Sequence, residues 1–181
     1  MPLWRRLLDG LLRVFGFGGG PIPREPVSMR PIGVVRNAER ELSSQDWREV
    51  RSDLIFRDEL MGALDGLETW SHIIVVCAFH RLPEEHLGKT HILPMDDPRN
   101  PVQGILATRS QLRPNPIGVS VVPLLRRRRN ILRVKGLDAL DGTPILDVKP
   151  YVPGYDDVPD ARVPDWVAQR REEREEPSRE S

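Results

Sequence analysis

Apolar residues occur along this chain mostly in short runs separated by glycine, proline and polar turns. The run His72 to Phe79 (HIIVVCAF) is almost wholly apolar, which is typical of a strand buried on both faces. One short helix is predicted over residues 58–64, whose apolar side chains fall on one side. Other segments rich in apolar and β-branched residues predict strands at 29–36, 50–56, 104–108, 118–125, 131–137 and 145–148.

These elements add up to six or seven short strands with one or two small helices. An open sheet of so many strands would leave unpaired edges, and closing the sheet removes them. Eighteen prolines and fourteen glycines also favour short elements joined by fixed turns. We therefore expect a mainly β protein with a closed or nearly closed β-barrel, including a hairpin turn at Arg126 to Asn130.

The two ends of the chain differ in composition from its middle. Residues 1–27 combine a basic amphipathic segment of helical spacing with a glycine- and proline-rich linker. Asp9 and Arg13 interrupt the apolar stretch, so neither secretion nor membrane spanning is expected; a membrane-surface contact is the weaker alternative to a simple tail. Residues 159–181 are strongly charged and predict disorder. The barrel domain is expected over residues 28–158.

The charge and cysteine content bear on the possible partners, the cellular location and metal binding. Lysine and arginine together number 27, as do aspartate and glutamate, so the total charge indicates neither presence nor absence of a nucleic-acid partner. The single cysteine, Cys77, excludes an internal disulfide and fits a reducing, cytoplasmic location. The histidines His80, His86 and His91 lie near it in sequence, but their spacing matches no standard zinc pattern, and no metal is expected.

The first segment with candidate chemistry is ATRSQLRPNPIGVS, residues 107–120. Its prolines fix the backbone, so the side chains of Arg109, Arg113 and Asn115 are aimed in set directions. Two arginines four residues apart could grip a carboxylate or a phosphate through their planar guanidinium groups. The structural alternative is an ion pair of either arginine with Asp96, Asp97 or Asp138.

The second segment is GLDALDGTPILDVKPY, residues 136–151, which places several carboxylates around an Asp-Gly turn. Asp138 directly follows a predicted strand, where a carboxylate can hold a ribose diol or an amino group. The simpler interpretation of Asp141 is turn formation. Lys149 and Asp147 lie two residues apart on the same face of the predicted strand, so the simpler interpretation of this pair is a salt bridge. The two segments together predict the functional site.

A run of four arginines, Arg126 to Arg129, falls at the predicted hairpin tip, where no acidic residue is close in sequence. Such a cluster would project a positive field suited to a phosphate backbone. The equally plain alternative is a solvated turn whose charge blocks edge pairing.

Four motifs resemble the TsaA-like family in order and spacing. They are PIGVVRN, GLETWSHIIVVCAFHR, GILATRSQLRPNPIGVSVV and LDALDGTPILDVKPY, which begin at Pro31, Gly66, Gly104 and Leu137. The resemblance covers about Pro31 to Asp156. The best-known members methylate N6 of threonylcarbamoyl-adenosine beside the tRNA anticodon, using S-adenosylmethionine on a β-barrel. The resemblance therefore implies a methyltransferase with this cofactor and a tRNA partner. It also implies a homodimer, because the family binds its cofactor at a dimer interface.

The resemblance also implies which residues form the cofactor pocket. They are Gln45, Asp46, His80, Arg81, Arg109, Val119, Lys135, Gly136, Leu137 and Asp138. The residues expected to contact the methyl acceptor are Arg113, Asn115, Arg126, Arg127, Arg128, Lys149 and Tyr151. No residue is singled out as a general base, since transfer from a sulfonium depends on close positioning more than on a strong base.

Two departures from the tRNA enzymes of this family leave the acceptor open. The loop after the first strand reads SSQDW (Ser43 to Trp47) in place of a proline-arginine-glutamine pattern, and a charged tail stands where those enzymes continue into a small C-terminal domain. The alternatives are a methyltransferase of a small molecule or protein, and a non-catalytic protein that binds S-adenosylmethionine.

Overall fold

The computed structural model describes residues 25–41, 46–82 and 88–169. The strands in these ranges are β1 (Gly33–Arg36), β2 (Arg51–Phe56), β3 (His72–Ala78), β4 (His91–Ile92), β5 (Gln103–Gly104), β6 (Ile117–Arg128), β7 (Ile131–Lys135) and β8 (Pro144–Pro150). Short 3-10 helices cover Trp47–Glu49, Asp58–Leu64, Leu67–Thr69, Pro94–Asp96 and Ile105–Ala107. A helical turn covers residues 165–169. Among these residues no helix is long and apolar enough to cross a membrane. The predicted amphipathic N-terminal segment lies outside them.

Six strands close into a barrel in the order β1-β2-β7-β6-β3-β8, and each neighbouring pair is antiparallel. Side chains alternate between the interior and the outer surface, as the two-residue period of a strand requires. The interior is filled by branched aliphatic side chains with no solvent exposure, including Val35, Leu54, Ile73, Leu132 and Ile145. The predicted mainly β class and closed barrel are confirmed. β4 and β5 pair separately.

Two local predictions are wrong in detail, and a third is confirmed. β3 is not buried on both faces, because Ile74 and Val76 on its outer side are only half-buried. The strand expected at 104–108 is mostly a 3-10 helix, in which the N–H and the hydroxyl of Thr108 both donate to the Ile105 carbonyl. The short helix predicted at 58–64 is present with those bounds, and its geometry is 3-10.

The strand register gives the barrel two distinct ends. At one, which we call the pocket end, β3 finishes at Ala78 beside the start of β6 at Ile117. At the other, the hairpin end, Arg128 of β6 pairs with Ile131 of β7. β6 is 12 residues long and joins the two ends. At about 3.3 Å per residue it covers roughly 40 Å of path along the wall.

Cys77 lies inside the barrel near the pocket end, with only 2% of its surface exposed. Burial first, and the nearby charge of Asp138 second, raise the pKa of its thiol to about 11. Gly118 on β6 pairs with Cys77. A Cβ atom added to Gly118 would lie 2.9 Å from the Cys77 sulfur and 2.7 Å from the Phe79 ring. This corner of the core therefore has no space for a larger residue.

Arg127 anchors the hairpin end through partners that are distant in sequence, which the absence of nearby acidic residues did not reveal. Its guanidinium donates to Asp65 at 2.7 Å, to Glu68 at 3.0 Å and to the Met61 carbonyl at 3.0 Å. Arg127 pairs with Leu132, which is fully buried, so it faces the same side of the strand as the core. The turn itself is shorter than predicted, since β6 continues to Arg128.

Replacing Arg127 with alanine should therefore lower the thermal unfolding midpoint by a few degrees, because several hydrogen bonds to the 58–69 segment are lost together. The matched control is Arg128→Ala, which removes an exposed arginine with no ion pair among the described residues, and it should change the midpoint little. Equal melting curves for the two variants, measured by circular dichroism, would contradict the anchoring role.

Candidate active site

A pocket opens at the barrel end where β3 finishes and β6 starts, and segments distant in sequence converge there. It is lined by Trp47, Phe79, His80, Arg81, Leu82, Gln111, Asp138, Leu140 and Thr143. Of the ten predicted cofactor residues, His80, Arg81 and Asp138 line it directly. The lining combines aromatic and aliphatic side chains with a few charged or amide-bearing ones. This combination is typical of a small-molecule site.

Asp138 reaches the pocket because of how β7 ends. Gly136 has a φ of 83°, a backbone conformation that other residues rarely adopt, and its N–H donates to the Val50 carbonyl at 2.9 Å. This bend buries Leu137 and leaves Asp138 exposed. The Asp138 carboxylate accepts a hydrogen bond of 2.7 Å from the Ser120 hydroxyl on β6. Gly136 and Leu137 therefore shape the site without lining it.

Asn37 holds the rim that carries Asp138, a role the sequence analysis did not assign. Its amide donates to the Ala139 carbonyl at 2.8 Å and to the Ser52 hydroxyl at 2.9 Å. Ser52 is itself buried, so this pair ties the rim segment to β2. The signal in the sequence was the position of Asn37 at the end of the PIGVVRN motif.

His80 lies against the Asp-Gly turn. A Cβ atom added to Gly142 would stand 3.6 Å from its Nε2 atom. Burial first, and the charge of Arg81 second, hold the pKa of His80 below its usual 6.5, while Asp141 opposes the shift. Asp141 is also within 3.5 Å of Arg36, so its charge is shared between partners. His80 is consequently a neutral imidazole at neutral pH.

The lowered pKa of His80 predicts a pH dependence. A depressed pKa means that the unfolded chain takes up the proton first, so the stability contributed by neutral His80 is present above about pH 6.5 and is lost as the pH falls. Protonation would also place a positive charge in the pocket beside that of Arg81. The affinity of the pocket for a cationic ligand should therefore fall between pH 7.5 and 5.5, and His80→Asn should flatten that profile in calorimetric titrations.

The two arginines of the 107–120 segment are held by backbone carbonyls. Arg109 donates to the Val119 carbonyl at 2.5 Å, and Arg113 donates to the Thr108 carbonyl at 3.3 Å. The alternative of ion pairs with Asp96, Asp97 or Asp138 is not what the described residues show. Val119 precedes Ser120, the partner of Asp138, so Arg109 lies on the barrel wall next to the pocket.

The loop residues Arg113 and Asn115 belong to the pocket end, because the neighbouring Pro116 carbonyl accepts from the Phe79 N–H at 2.8 Å. Two other predicted cofactor residues have local roles. Asp46 accepts hydrogen bonds from Arg48 at the start of a 3-10 helix, and Lys135 pairs with Glu49 at 2.9 Å. Gln45 lies outside the described residues.

The remaining predicted acceptor contacts lie away from the pocket within one chain. Arg126, Arg127 and Arg128 belong to the hairpin end. Tyr151 is also at that end, where its N–H donates to the His72 carbonyl at 3.1 Å and its ring contacts the His72 ring edge-on. Lys149 forms the simple salt bridge with Asp147, at 2.6 Å. The arginine hairpin therefore does not adjoin the described pocket of its own chain.

Within the described ranges, no group of three or more histidine, cysteine or acidic residues is arranged to hold a metal ion. The chemistry available at the pocket is that of one guanidinium, one carboxylate, a neutral imidazole, an amide, a hydroxyl and an apolar surface.

A closed six-stranded β-barrel with a mixed polar and apolar pocket at one rim defines a small-ligand-binding barrel domain, distinct from the parallel sheets that bind nucleotides at helix N-termini. The family described as the tRNA-methyltransferase O N-terminal domain matches residues 40–157, well over half of the chain. The chain belongs to this family, and the resemblance stated from its motifs is confirmed.

Curated relatives and solved structures agree with this assignment. A probable S-adenosyl-L-methionine-binding protein of Pyrococcus abyssi is 36% identical over 135 residues, which cover 72% of this chain and 71% of the relative. The tRNA (adenine(37)-N6)-methyltransferase of Escherichia coli is 36% identical over 144 residues, covering 77% of this chain and 54% of that enzyme. A crystal structure of TrmO from P. aeruginosa has a TM-score of 0.63 and 34% identity, covering 78% of this chain and 62% of that one. The chain thus spans little more than half of the Escherichia coli enzyme.

Proposed function

We propose that this protein binds S-adenosylmethionine in the pocket at the barrel rim and methylates N6 of the threonylcarbamoyl-adenosine beside the tRNA anticodon. The observation that carries the proposal is the convergence of His80, Arg81 and Asp138 on one pocket. These residues come from two segments of the chain that the family resemblance had singled out. The relatives, which are S-adenosyl-L-methionine-binding proteins and a tRNA adenine methyltransferase, support the cofactor and the acceptor.

The pocket residues fit the proposed cofactor chemically. Trp47 and Phe79 offer aromatic surface suited to an adenine ring. The Asp138 carboxylate suits a ribose diol or an ammonium group, and the arginines Arg81 and Arg109 suit a carboxylate. S-adenosylmethionine, when bound, supplies a methyl group from a sulfonium centre.

The contribution of the chain to the transfer is mainly positional. The RPNPIG loop is stiffened by Pro114 and Pro116, and its end is tied to β3 through the Phe79 N–H. A rigid loop beside the pocket would hold the methyl acceptor in a fixed position, and such positioning accounts for a large part of the rate in transfer reactions. Arg113 is the candidate partner for the carboxylate of the threonyl group, with Asn115 beside it.

We also propose that the protein acts as a cytoplasmic homodimer. Three aliphatic side chains on the outer surface of β6 are about half exposed: Val119 at 46%, Val121 at 52% and Leu125 at 46%. An outer barrel surface normally carries polar side chains, and an exposed apolar strip of this kind marks an interaction site. A partner subunit is the plainest cover for it.

The deciding experiment has two stages. Calorimetric titration of S-adenosylmethionine should give micromolar affinity, and Arg109→Ala should weaken it about tenfold, the size of a lost charged hydrogen bond. Arg162→Ala, an exposed arginine outside the barrel, is the control. Methyl incorporation should then be measured with tRNA carrying or lacking the threonylcarbamoyl group, and only the former should be methylated.

The two stages separate the candidate functions. Binding without methylation of any tRNA would favour a cofactor-binding protein or another methyl acceptor. The match to only 54% of the Escherichia coli enzyme is the observation that favours these alternatives. Absence of binding would refute both the cofactor and the methyltransferase.

A further inference from the structure

The outer face of strands β1, β2, β7 and β6 carries an excess of positive charge. Val35, Leu54 and Leu132 face the core, so the residues on either side of each point outward. The outward positions of the four strands hold a single acidic residue, Asp53, and several basic ones. We call the basic residues the basic stripe: Arg36, Arg51, Arg126, Arg128, Arg133 and Lys135.

The strand register sets part of the stripe in one row across the sheet. Arg36 on β1 pairs with Asp53 on β2. Asp53 pairs in turn with Arg133 on β7, which pairs with Arg126 on β6. Neighbouring strands lie about 4.8 Å apart, so the row extends over about 14 Å. Three arginines and one carboxylate in this row leave positive charge in excess.

The acidic partners within reach do not neutralise the stripe. Arg133 occupies both carboxylate oxygens of Asp53, with hydrogen bonds of 2.6 Å to each. These hydrogen bonds first, and then the charges of Arg133 and Arg126, hold the pKa of Asp53 below its usual range against the opposing effect of burial. Within the described ranges, Arg51, Arg126 and Arg128 form no ion pair.

The stripe begins at the rim of the pocket. Arg36 is the last residue of β1 and lies 3.5 Å from Asp141, which stands between the pocket-lining residues Leu140 and Thr143 in sequence. From this rim the stripe crosses β2 and β7 and finishes at Arg128, at the hairpin end. One face of the barrel therefore connects the pocket with the arginine hairpin through a path of cations.

A linear polyanion fits this path. The other side of the barrel has no comparable excess, because the lysine, arginine and acidic residues of β3 and β8 are limited to Asp147 and Lys149, which pair with each other at 2.6 Å. Guanidinium groups stay charged and bind phosphates through two parallel hydrogen bonds. A narrow row of them matches successive phosphates of a nucleic-acid strand, whereas a bilayer presents its charges over a broad plane.

We infer that the basic stripe binds the sugar-phosphate backbone of the RNA strand that continues from the nucleotide at the pocket. This inference rests on the proposed function, which brings the RNA to the pocket. Arg126 and Arg128, which lie away from the pocket, then contact phosphates of the same RNA at a distance from the methylated base. Contacts of this kind supply affinity that is independent of sequence and falls with salt.

Binding of an unmodified tRNA transcript, measured by fluorescence anisotropy at several salt concentrations, tests the inference. Arg51→Gln/Arg126→Gln removes two stripe cations from different strands and should weaken binding roughly three- to tenfold. The slope of log affinity against log salt should fall by about 0.7–0.9 for each cation removed. The control Arg30→Gln/Arg162→Gln removes two exposed arginines outside these strands and should bind nearly as the wild type does. Calorimetry with S-adenosylmethionine checks that the pocket of each variant is intact.

The outcomes separate the stripe from the proposed function. Unchanged tRNA affinity and salt slope in Arg51→Gln/Arg126→Gln, in a protein that methylates tRNA, would overturn the stripe alone. An effect of Arg126→Gln without any effect of Arg51→Gln would also overturn it, by confining the RNA contact to the hairpin. Weaker binding to phosphatidylserine vesicles with unchanged tRNA binding would make the stripe a membrane contact instead. Stripe-dependent tRNA binding without methylation would refute the proposed function and leave the stripe standing.

Discussion

Replacing Asp138 with alanine is expected to weaken the binding of S-adenosylmethionine by tenfold or more, the largest effect of any single change in the pocket. Asp138 is the only carboxylate among the nine residues that line the described pocket, and it is exposed there with one oxygen bonded to Ser120. A ligand that carries an ammonium and a sulfonium loses its one anionic partner when this group is removed. The loss of a charged hydrogen bond costs about 1.5–3 kcal/mol, or roughly ten- to a hundredfold in affinity.

The matched control for this change is Asp147→Ala. Asp147 lies on β8 opposite Val76 and pairs with Lys149, so it is a barrel aspartate in an ion pair outside the pocket. Calorimetry should show unchanged affinity for that variant. Ser120→Ala provides a graded arm, since it leaves the carboxylate but removes its fixed orientation, and its effect should be intermediate. Similar affinities for Asp138→Ala and Asp147→Ala would rule Asp138 out as a cofactor contact.

Gly118→Ala should damage both the fold and the pocket. The added methyl group would lie 2.7 Å from the Phe79 ring and 2.9 Å from the Cys77 sulfur, so one of these must move. Overpacking of a tight core costs about 1–3 kcal/mol of unfolding free energy. Because Phe79 lines the pocket, displacement of its ring should also lower the affinity for S-adenosylmethionine. Urea unfolding monitored by fluorescence, followed by calorimetry, measures both effects.

Gly62→Ala is the companion variant. A Cβ atom added to Gly62 has no neighbour within 4 Å, so this substitution should leave stability and binding nearly unchanged. In the double variant Gly118→Ala/Phe79→Leu, a smaller side chain replaces the Phe79 ring. This variant should recover part of the lost stability but not the affinity. Full stability in Gly118→Ala alone would mean that the corner between β3 and β6 is less crowded than the structure indicates.

The barrel could be predicted because its strands follow local rules. The apolar runs around Ile73 and Leu132 and the glycine and proline punctuation are all visible in sequence, and closure is the general solution for many short strands. The 3-10 helix at Ile105–Ala107 could not be predicted, since its residues favour a strand. It is fixed instead by the Thr108 hydroxyl and by pairing of the segment before it. The partial exposure of Ile74 and Val76 depends on which strands lie beside β3. Local sequence does not determine that strand order.

The site was predictable in part for a similar reason. The polar segments after β5 and β7 pointed to Asp138, and the family resemblance added His80 and Arg81. The hairpin tip of the arginine run was visible in sequence, but its distance from the pocket was not, because the length and direction of β6 decide which end of the barrel it reaches. The partners of Arg127 are about sixty residues away in sequence, so its anchoring role could be seen only in the folded chain.

The buried thiol of Cys77 makes this chain convenient for site-directed labelling. With its pKa raised to about 11, the only cysteine of the sequence is almost entirely protonated at neutral pH and shielded from reagents. A new cysteine in place of Arg129, at the exposed hairpin turn, would then react alone with a spin label or fluorophore. With new cysteines at two exposed positions, the distance between their labels could be measured in solution without first replacing Cys77.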